Sequence, residues 1–373
     1  MRHTINKVLV QTTIAWFLVS IKYSFSVKLK NSRTYLYLLD RINTSNASHI
    51  RDLSLSKKEK SLARLTVKQV LLAMTFVIFI IGLSLYHLYP TPIIKTYKYT
   101  NASLAYLEKK SIMIDGYTVH YYEGLASQEK DTLVLLHGLG DDKDSFVRVA
   151  KNLSDQYHIL LPDLLGHGEN EKLSDADYRI EGQVDMIRKF VKAKNIEMFH
   201  LGGHSMGGHI AAAYATKYQD TLKSLIIINS PGLKIDDDIA YNDFEDKTIT
   251  EQDLEPLLAK IFFKIPKLPK PFRIFQINQL NENHDFTKYI LLPQIMNSND
   301  FDLINKISII QVPTLILWGQ HDEIVKHNIA EKFNELIPHS KLIYIDNASH
   351  CPQLEVPNII SADIDQFIKE TKR

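Results

Sequence analysis

Gly203-His204-Ser205-Met206-Gly207 sets a serine between two glycines, each two residues away. The apolar run Met198 to Leu201 precedes it and the small residues Ala211 to Ala215 follow. A strand that enters a helix through so tight a turn leaves no room for a Cβ beside the serine, hence glycine on either side. The turn lifts the hydroxyl clear of the sheet and aims backbone N–H groups at whatever the serine attacks. Serine is a weak nucleophile at its ordinary pKa and needs a base that a third group orients. Further on, Asp322 follows the apolar run Leu315 to Trp318, and His350 follows Leu342 to Ile345. In the order serine, acid, histidine, His350 would take the Ser205 proton and return it to the leaving group, while Asp322 fixes the imidazole tautomer. That is acyl-transfer chemistry. Glu323 is the fallback acid, and His321 reads as a solvated loop residue.

A tetrahedral oxyanion needs two preorganised donors. The backbone N–H of Met206, next after the serine, is one. The other is expected from the loop His137-Gly138-Leu139-Gly140, with Leu139 N–H as the donor. His137 reads as a structural ligand of that loop. Asp163, in the sharp turn Pro162-Asp-Leu-Leu-Gly-His-Gly168, is expected to bond backbone.

These residues need elements to carry them. Thr132 to Leu136 is a continuous apolar run, as a strand buried on both faces should be. His158 to Leu161, Ser224 to Ile228, Pro313 to Trp318 and Leu342 to Ile345 repeat the pattern. Val184, Ile187, Phe190 and Val191 mark one helix face, and Ile359 to Ile368 a closing helix. Ser111 to Asp115 and Tyr117 to Glu123 flank the hairpin signal Asp115-Gly116. Strand and helix alternating over this length predict a mostly parallel sheet covered on both faces, with the chemical residues at the strands' carboxyl ends.

The 373 residues and 45% hydrophobic content support one large domain with an appendage. A net charge of +1 argues against nucleic acid as a partner. The single cysteine, Cys351, leaves no internal disulfide and no cysteine-based zinc site. Val70 to Tyr86 is uncharged and apolar, and with His87 to Tyr89 reaches about 20 residues, enough to cross a membrane as one helix. Tyr86 and Tyr89 fall where an interfacial belt would sit. Lys57, Lys58, Lys60, Arg64 and Lys68 before this span put the N-terminus inside and the rest on the non-cytoplasmic side. A chain starting at Met74 would lose that bias.

Between Lys234 and Ile307 the alternation breaks. An acidic front, Asp236 to Asp246, gives way to an apolar and basic middle interrupted by Pro266, Pro269 and Pro271, which argue against a long regular helix there. This is an inserted cap, with Phe262, Phe263 and Phe272 expected to line the substrate's path, and an acyl-chain port or a membrane-docking face as its sharper reading. The expected organisation is a polar, poorly ordered extension over 1–67, a transmembrane anchor over 68–89 and a linker over 90–110. A core over 111–233, the cap over 234–306 and the rest of the core over 307–373 follow.

Together, His137-Gly-Leu-Gly, Asp163-Leu-Leu-Gly-His-Gly, Gly203-His-Ser-Met-Gly-Gly, Trp318-Gly-Gln-His-Asp322 and Ser349-His350 resemble the α/β-hydrolase superfamily from about Ser111 onward. The runs Asp141 to Phe146, Tyr178 to Gln183 and Asn229-Ser-Pro-Gly-Leu, with an apolar anchor ahead of the domain, resemble its membrane-anchored monoacylglycerol lipases and related bacterial lipases. The resemblance implies a mostly parallel eight-stranded sheet with an inserted cap. It implies Ser205, Asp322 and His350 as triad, no cofactor and no metal, and an acylglycerol or other lipophilic ester as substrate. A C–C bond hydrolase of ring-cleavage products and a non-catalytic, membrane-tethered binding protein are the competing readings. Dehalogenases and epoxide hydrolases need an aspartate where Ser205 stands.

Overall fold

The computed structural model describes residues 57–88, 90–125, 130–235 and 248–371. The expected disordered extension falls outside these residues over 1–56, as does the whole of the cap's acidic front, Asp236 to Asp246. The chain divides into two compact units, Met1–Ser84 and Leu85–Arg373.

Helix α1, Lys57–Leu88, carries the apolar run. Leu71, Leu72, Met74, Phe76, Ile78, Phe79, Ile80, Ile81 and Leu83 on it are exposed. A membrane-crossing anchor over 68–89 is not what the structure presents: among the described residues, no helix is long and apolar enough to cross a membrane. The helix begins well upstream of the apolar run, so Lys57, Lys58, Glu59, Lys60, Arg64 and Lys68 belong to it as well.

The expected linker is a second helix, α2, Pro90–Leu104. Proline at a first helical position sacrifices an N–H that would be unpaired anyway and presets φ, so Pro90 starts this helix rather than stopping one. Strand β1, Leu107–Ile114, begins earlier than the sequence suggested and pairs antiparallel with β2, Tyr117–Gly124. Asp115 and Gly116 both take positive φ, 50° and 81°, as a two-residue hairpin turn requires.

There follow β3 (Thr132–Leu136), α3 (Val147–Leu153), β4 (His158–Pro162), α4 (Ile180–Ala193), β5 (Phe199–His204), α5 (Met206–Tyr218) and β6 (Leu222–Ile228). The cap contributes α6 (Glu251–Ile261), α7 (Lys270–Phe286), a π-helical turn at Thr287–Leu291 and α8 (Leu292–Met296). Pro266 lies in the non-helical stretch between α6 and α7, whereas Pro269 caps α7 and Pro271 stands in its first turn, so a helix of 17 residues continues past them. The core resumes with β7 (Thr314–Gly319), α9 (His327–Leu336), β8 (Ser340–Ile345), α10 (Pro352–Glu355) and α11 (Pro357–Thr371).

The eight strands form one sheet in the order β1-β2-β4-β3-β5-β6-β7-β8, parallel from β4 through β8. Successive side chains of the central strands enter opposite cores. Val134, Leu136, Leu201, Ile227 and Trp318 pack with α4, α5 and α9. Leu133, Leu135, Ile226, Leu315 and Leu317 pack with α3 and α11. Burial on both faces is why these strands read as unbroken apolar runs.

Candidate active site

Ser205 sits between the end of β5 and the start of α5 with φ 52° and ψ −122°, a conformation an L-residue holds only under constraint. Its N–H donates to the Ile228 carbonyl on the adjacent strand, 2.9 Å. A Cβ on Gly203 would fall on the Gly207 carbonyl, and one on Gly207 would meet the Leu136 and His137 carbonyls. The glycines are thus fixed by close backbone approach, and any side chain there would push β5, α5 and the loop after β3 apart.

The structure brings Ser205, His350 and Asp322 into one hydrogen-bonded chain. His350 Nε2 lies 3.1 Å from Ser205 Oγ, and His350 Nδ1 lies 3.0 Å from Asp322 Oδ2. An ionised carboxylate only accepts, so Nδ1 carries the proton and Nε2 is left to accept from the serine hydroxyl. Asp322 is buried, whereas Glu323 and His321 are exposed. Asp322 Oδ1 accepts the N–H groups of Ile324 and Val325, at 2.8 and 3.0 Å. Burial works to raise the Asp322 carboxyl. The His350 charge and hydrogen bond, then Asn229 and the Val325 N–H, outweigh it and hold the group below the ordinary carboxylate range.

Asn229, just past β6, was missed as a site residue. Its Nδ2 donates to Asp322 Oδ2 at 2.6 Å, and its Oδ1 accepts the Gly319 N–H at 3.1 Å. Its φ is 44°, in the left-handed region that asparagine tolerates better than most residues. An asparagine directly beyond a buried strand, beside the serine strand, was the available signal.

The loop after β3 abuts the serine: a Cβ on Gly138 would lie 3.2 Å from Ser205 Cβ. Leu139 follows Gly138 in that loop, and Met206 follows Ser205 at the start of α5. His137 Nδ1 donates to the Gly138 carbonyl at 2.8 Å, and its Nε2 accepts the Leu164 N–H at 3.0 Å. It therefore ties this loop to the turn after β4. Asp163 accepts the Lys143 and Glu169 N–H groups at 2.8 and 3.0 Å, and also the buried Lys143 ammonium at 2.7 Å. His204 Nε2 donates to the His350 carbonyl at 2.7 Å. Burial, with the neighbouring His350 ring, pushes the His204 imidazole down to about 3, so it is neutral at ordinary pH.

The cap phenylalanines separate. The exposed Phe263 ring stacks on His321, with centroids 4.3 Å apart at 16°. Phe272, half-buried, meets Tyr97 of α2 edge-on at 5.7 Å. Phe262 is half-buried. Phe286, which the sequence did not single out, packs with Tyr178 over Gly166 in the turn after β4. Cys351 is buried, and burial pushes its thiol well above the ordinary range, so it is no thiolate nucleophile.

Residues 131–357 match the family described as alpha/beta hydrolase fold. The chain is similar to Lipase 1 of Psychrobacter immobilis, 32% identical over 256 residues that cover 67% of this chain and 80% of that protein. It is similar to monoacylglycerol lipase ABHD6 of Bos taurus, 24% identical over 290 residues that cover 72% and 85%. Among solved structures, a membrane phospholipase A described as a bacterial virulence factor superposes with a TM-score of 0.72 at 27% identity, covering 82% of this chain and 99% of that one.

Proposed function

Because the chain belongs to the alpha/beta hydrolase fold family, we propose that it is a serine ester hydrolase of lipophilic esters, with monoacylglycerols as the leading substrates. The observation that carries this reading is the hydrogen-bonded chain from Ser205 Oγ through His350 to Asp322, 3.1 and 3.0 Å long at its two links. In the reaction His350 Nε2 takes the hydroxyl proton as Ser205 Oγ attacks the acyl carbonyl. The oxyanion that forms is met by the Leu139 and Met206 N–H groups. Collapse expels the glycerol oxygen, which takes the proton from His350. Water then gives a proton to His350 as its oxygen attacks the acyl carbon, and the acyl bond to Ser205 Oγ breaks as Oγ takes that proton back from His350 and the fatty acid leaves.

The lipid side of the proposal is supported by the likeness to lipases and by α1, on which most apolar side chains from Leu71 to Leu83 are exposed. We place the protein at a membrane through this helix. The likeness to a phospholipase A favours phospholipid acyl esters as the second reading.

The test is fatty-acid release by the full chain in detergent from 1- and 2-monoacylglycerols of rising acyl length, with Ser205→Ala as control. Phospholipids and a ring-cleavage product run in parallel. Release from monoacylglycerols that falls by at least about 10³-fold in the variant supports the reading. Turnover that Ser205→Ala leaves intact removes the triad assignment, and turnover of the ring-cleavage product alone replaces the ester with a C–C bond. Flotation with lipid vesicles checks the membrane placement, and a chain left at the bottom of the gradient removes it.

A further inference from the structure

His350 is held through its own backbone by groups outside its loop. Its N–H donates to the Ile261 carbonyl, 3.0 Å away at the end of α6 in the cap. Its carbonyl accepts from His204. The preceding residue, Ser349, donates its N–H to Glu355 Oε1 at 2.8 Å. The other oxygen of that carboxylate, Oε2, accepts the N–H groups of Phe263 at 2.7 Å and Lys264 at 3.4 Å, where the chain leaves α6. Immediately beside this, the Phe263 ring lies on His321, the neighbour of Asp322.

We propose that Glu355 is a positioning residue whose two carboxylate oxygens clasp the cap's exit from α6 to the loop that carries His350, so that the seat of the cap sets the seat of the imidazole. This rests on the serine-hydrolase reading of the site. A carboxylate suits the task because both its oxygens only accept, so it takes N–H groups from two segments at once. Glutamine has the same shape but turns an NH₂ toward one of those N–H groups, donor against donor. Aligning an imidazole for proton transfer tolerates only a fraction of an ångström. Loosening the clasp therefore costs turnover rather than substrate binding. The sequence held no signal for it, because Glu355 lies in a four-residue helix whose partners come from the cap and from the residues just before it.

The test compares the full chain with its Glu355→Gln variant in detergent, using the short soluble ester p-nitrophenyl butyrate, which does not depend on an acyl-chain port. The expected result is kcat lowered by about 10- to 100-fold with KM within about twofold, and labelling of Ser205 by a fluorophosphonate slowed in proportion. A kcat within about twofold of the parent, or a change confined to KM, overturns the clasp. Absence of Ser205-dependent turnover and labelling in the parent overturns the hydrolase reading itself, and the clasp with it. Amide hydrogen exchange keeps the proposal exposed should the variant not fold. In the parent, the Ser349 and Phe263 amides should open as one unit, and protection differing by more than about tenfold overturns it.

Discussion

Asp322 can orient His350 only if it is itself held, and Asn229 supplies the hold that neither neighbouring strand does. One amide group donates to the carboxylate and accepts from Gly319, tying the loop after β7 to the end of β6. Asn229→Ala removes both of these bonds and a third, from Nδ2 to the Ser349 carbonyl at 3.3 Å, and places alanine at a φ of 44°, where it is strained. A buried polar group left unpaired costs about 1–3 kcal/mol, which at the level of the transition state is roughly 5- to 150-fold in rate. The expected outcome is a fall of that size in kcat for a short ester with KM little changed. A variant with unchanged kcat would leave Ile324 and Val325 N–H as sufficient supports of Asp322.

At the scale of elements, the central strands were legible because both faces are buried and the apolar runs are unbroken. The serine turn was legible because backbone crowding dictates its glycines. The two helices that the sequence did not predict, α2 and α7, both open on prolines, Pro90 and Pro92 in one and Pro269 and Pro271 in the other, and proline at a helix start is compatible with everything that follows. Glu355 was illegible for another reason, since one of the two segments it joins, the exit from α6, is far from it in the chain. Helix α2 matters beyond its own length. Lys98 on it reaches Asp142 Oδ2 at 2.5 Å and Asp144 Oδ2 at 3.2 Å, in the turn just after Leu139. Burial works against the Lys98 ammonium, but Asp142 and then Asp144 hold its pKa above the ordinary range. Burial, with the Asp142 charge beside it, raises the Asp144 carboxyl to about 6. Lys98→Met would leave these carboxylates facing one another. With 32% of the Lys98 side chain still exposed, the loss should be roughly 1–3 kcal/mol, below the 3–5 of a fully buried pair. Denaturant melts of the full chain measure it. Turnover of a short ester should fall as well, because the turn leads directly out of the Leu139 loop. A stability loss with full activity would confine α2 to a bracing role.

On the scale of the whole molecule, the fold buries histidines as neutral rings, and this sets its response to acid. Burial pushes His167 down to about 3, helped by the neighbouring His137, and His204 to about 3, helped by His350. Burial pushes His209 to about 4, against the opposing pull of the Asp300 carbonyl it donates to at 2.8 Å. In the unfolded chain each would titrate near 6.5. Between about 6.5 and 4 the unfolded state therefore binds more protons than the folded one, so stability rises with pH across that window and is lost as pH falls through it. Each such ring contributes a slope approaching about 1.4 kcal/mol per pH unit. The carboxylates act lower down. Glu123 and Glu169 are depressed to about 2 against the opposing effect of burial, Glu123 by His158, Lys194 and Lys110, and Glu169 by Lys109 and Lys143. Their contribution is complete above about 4.5 and is lost as pH falls toward 2. His209 lies outside the proposed triad, so His209→Gln isolates one ring. Denaturant midpoints between pH 7 and 4.5 should fall steeply for the parent, and less steeply for the variant by about 1.4 kcal/mol per pH unit below 6.5. Parallel slopes would mean that His209 takes up its proton within the fold, and that its seat against Asp300 and Gly232 is open enough to hold a charge.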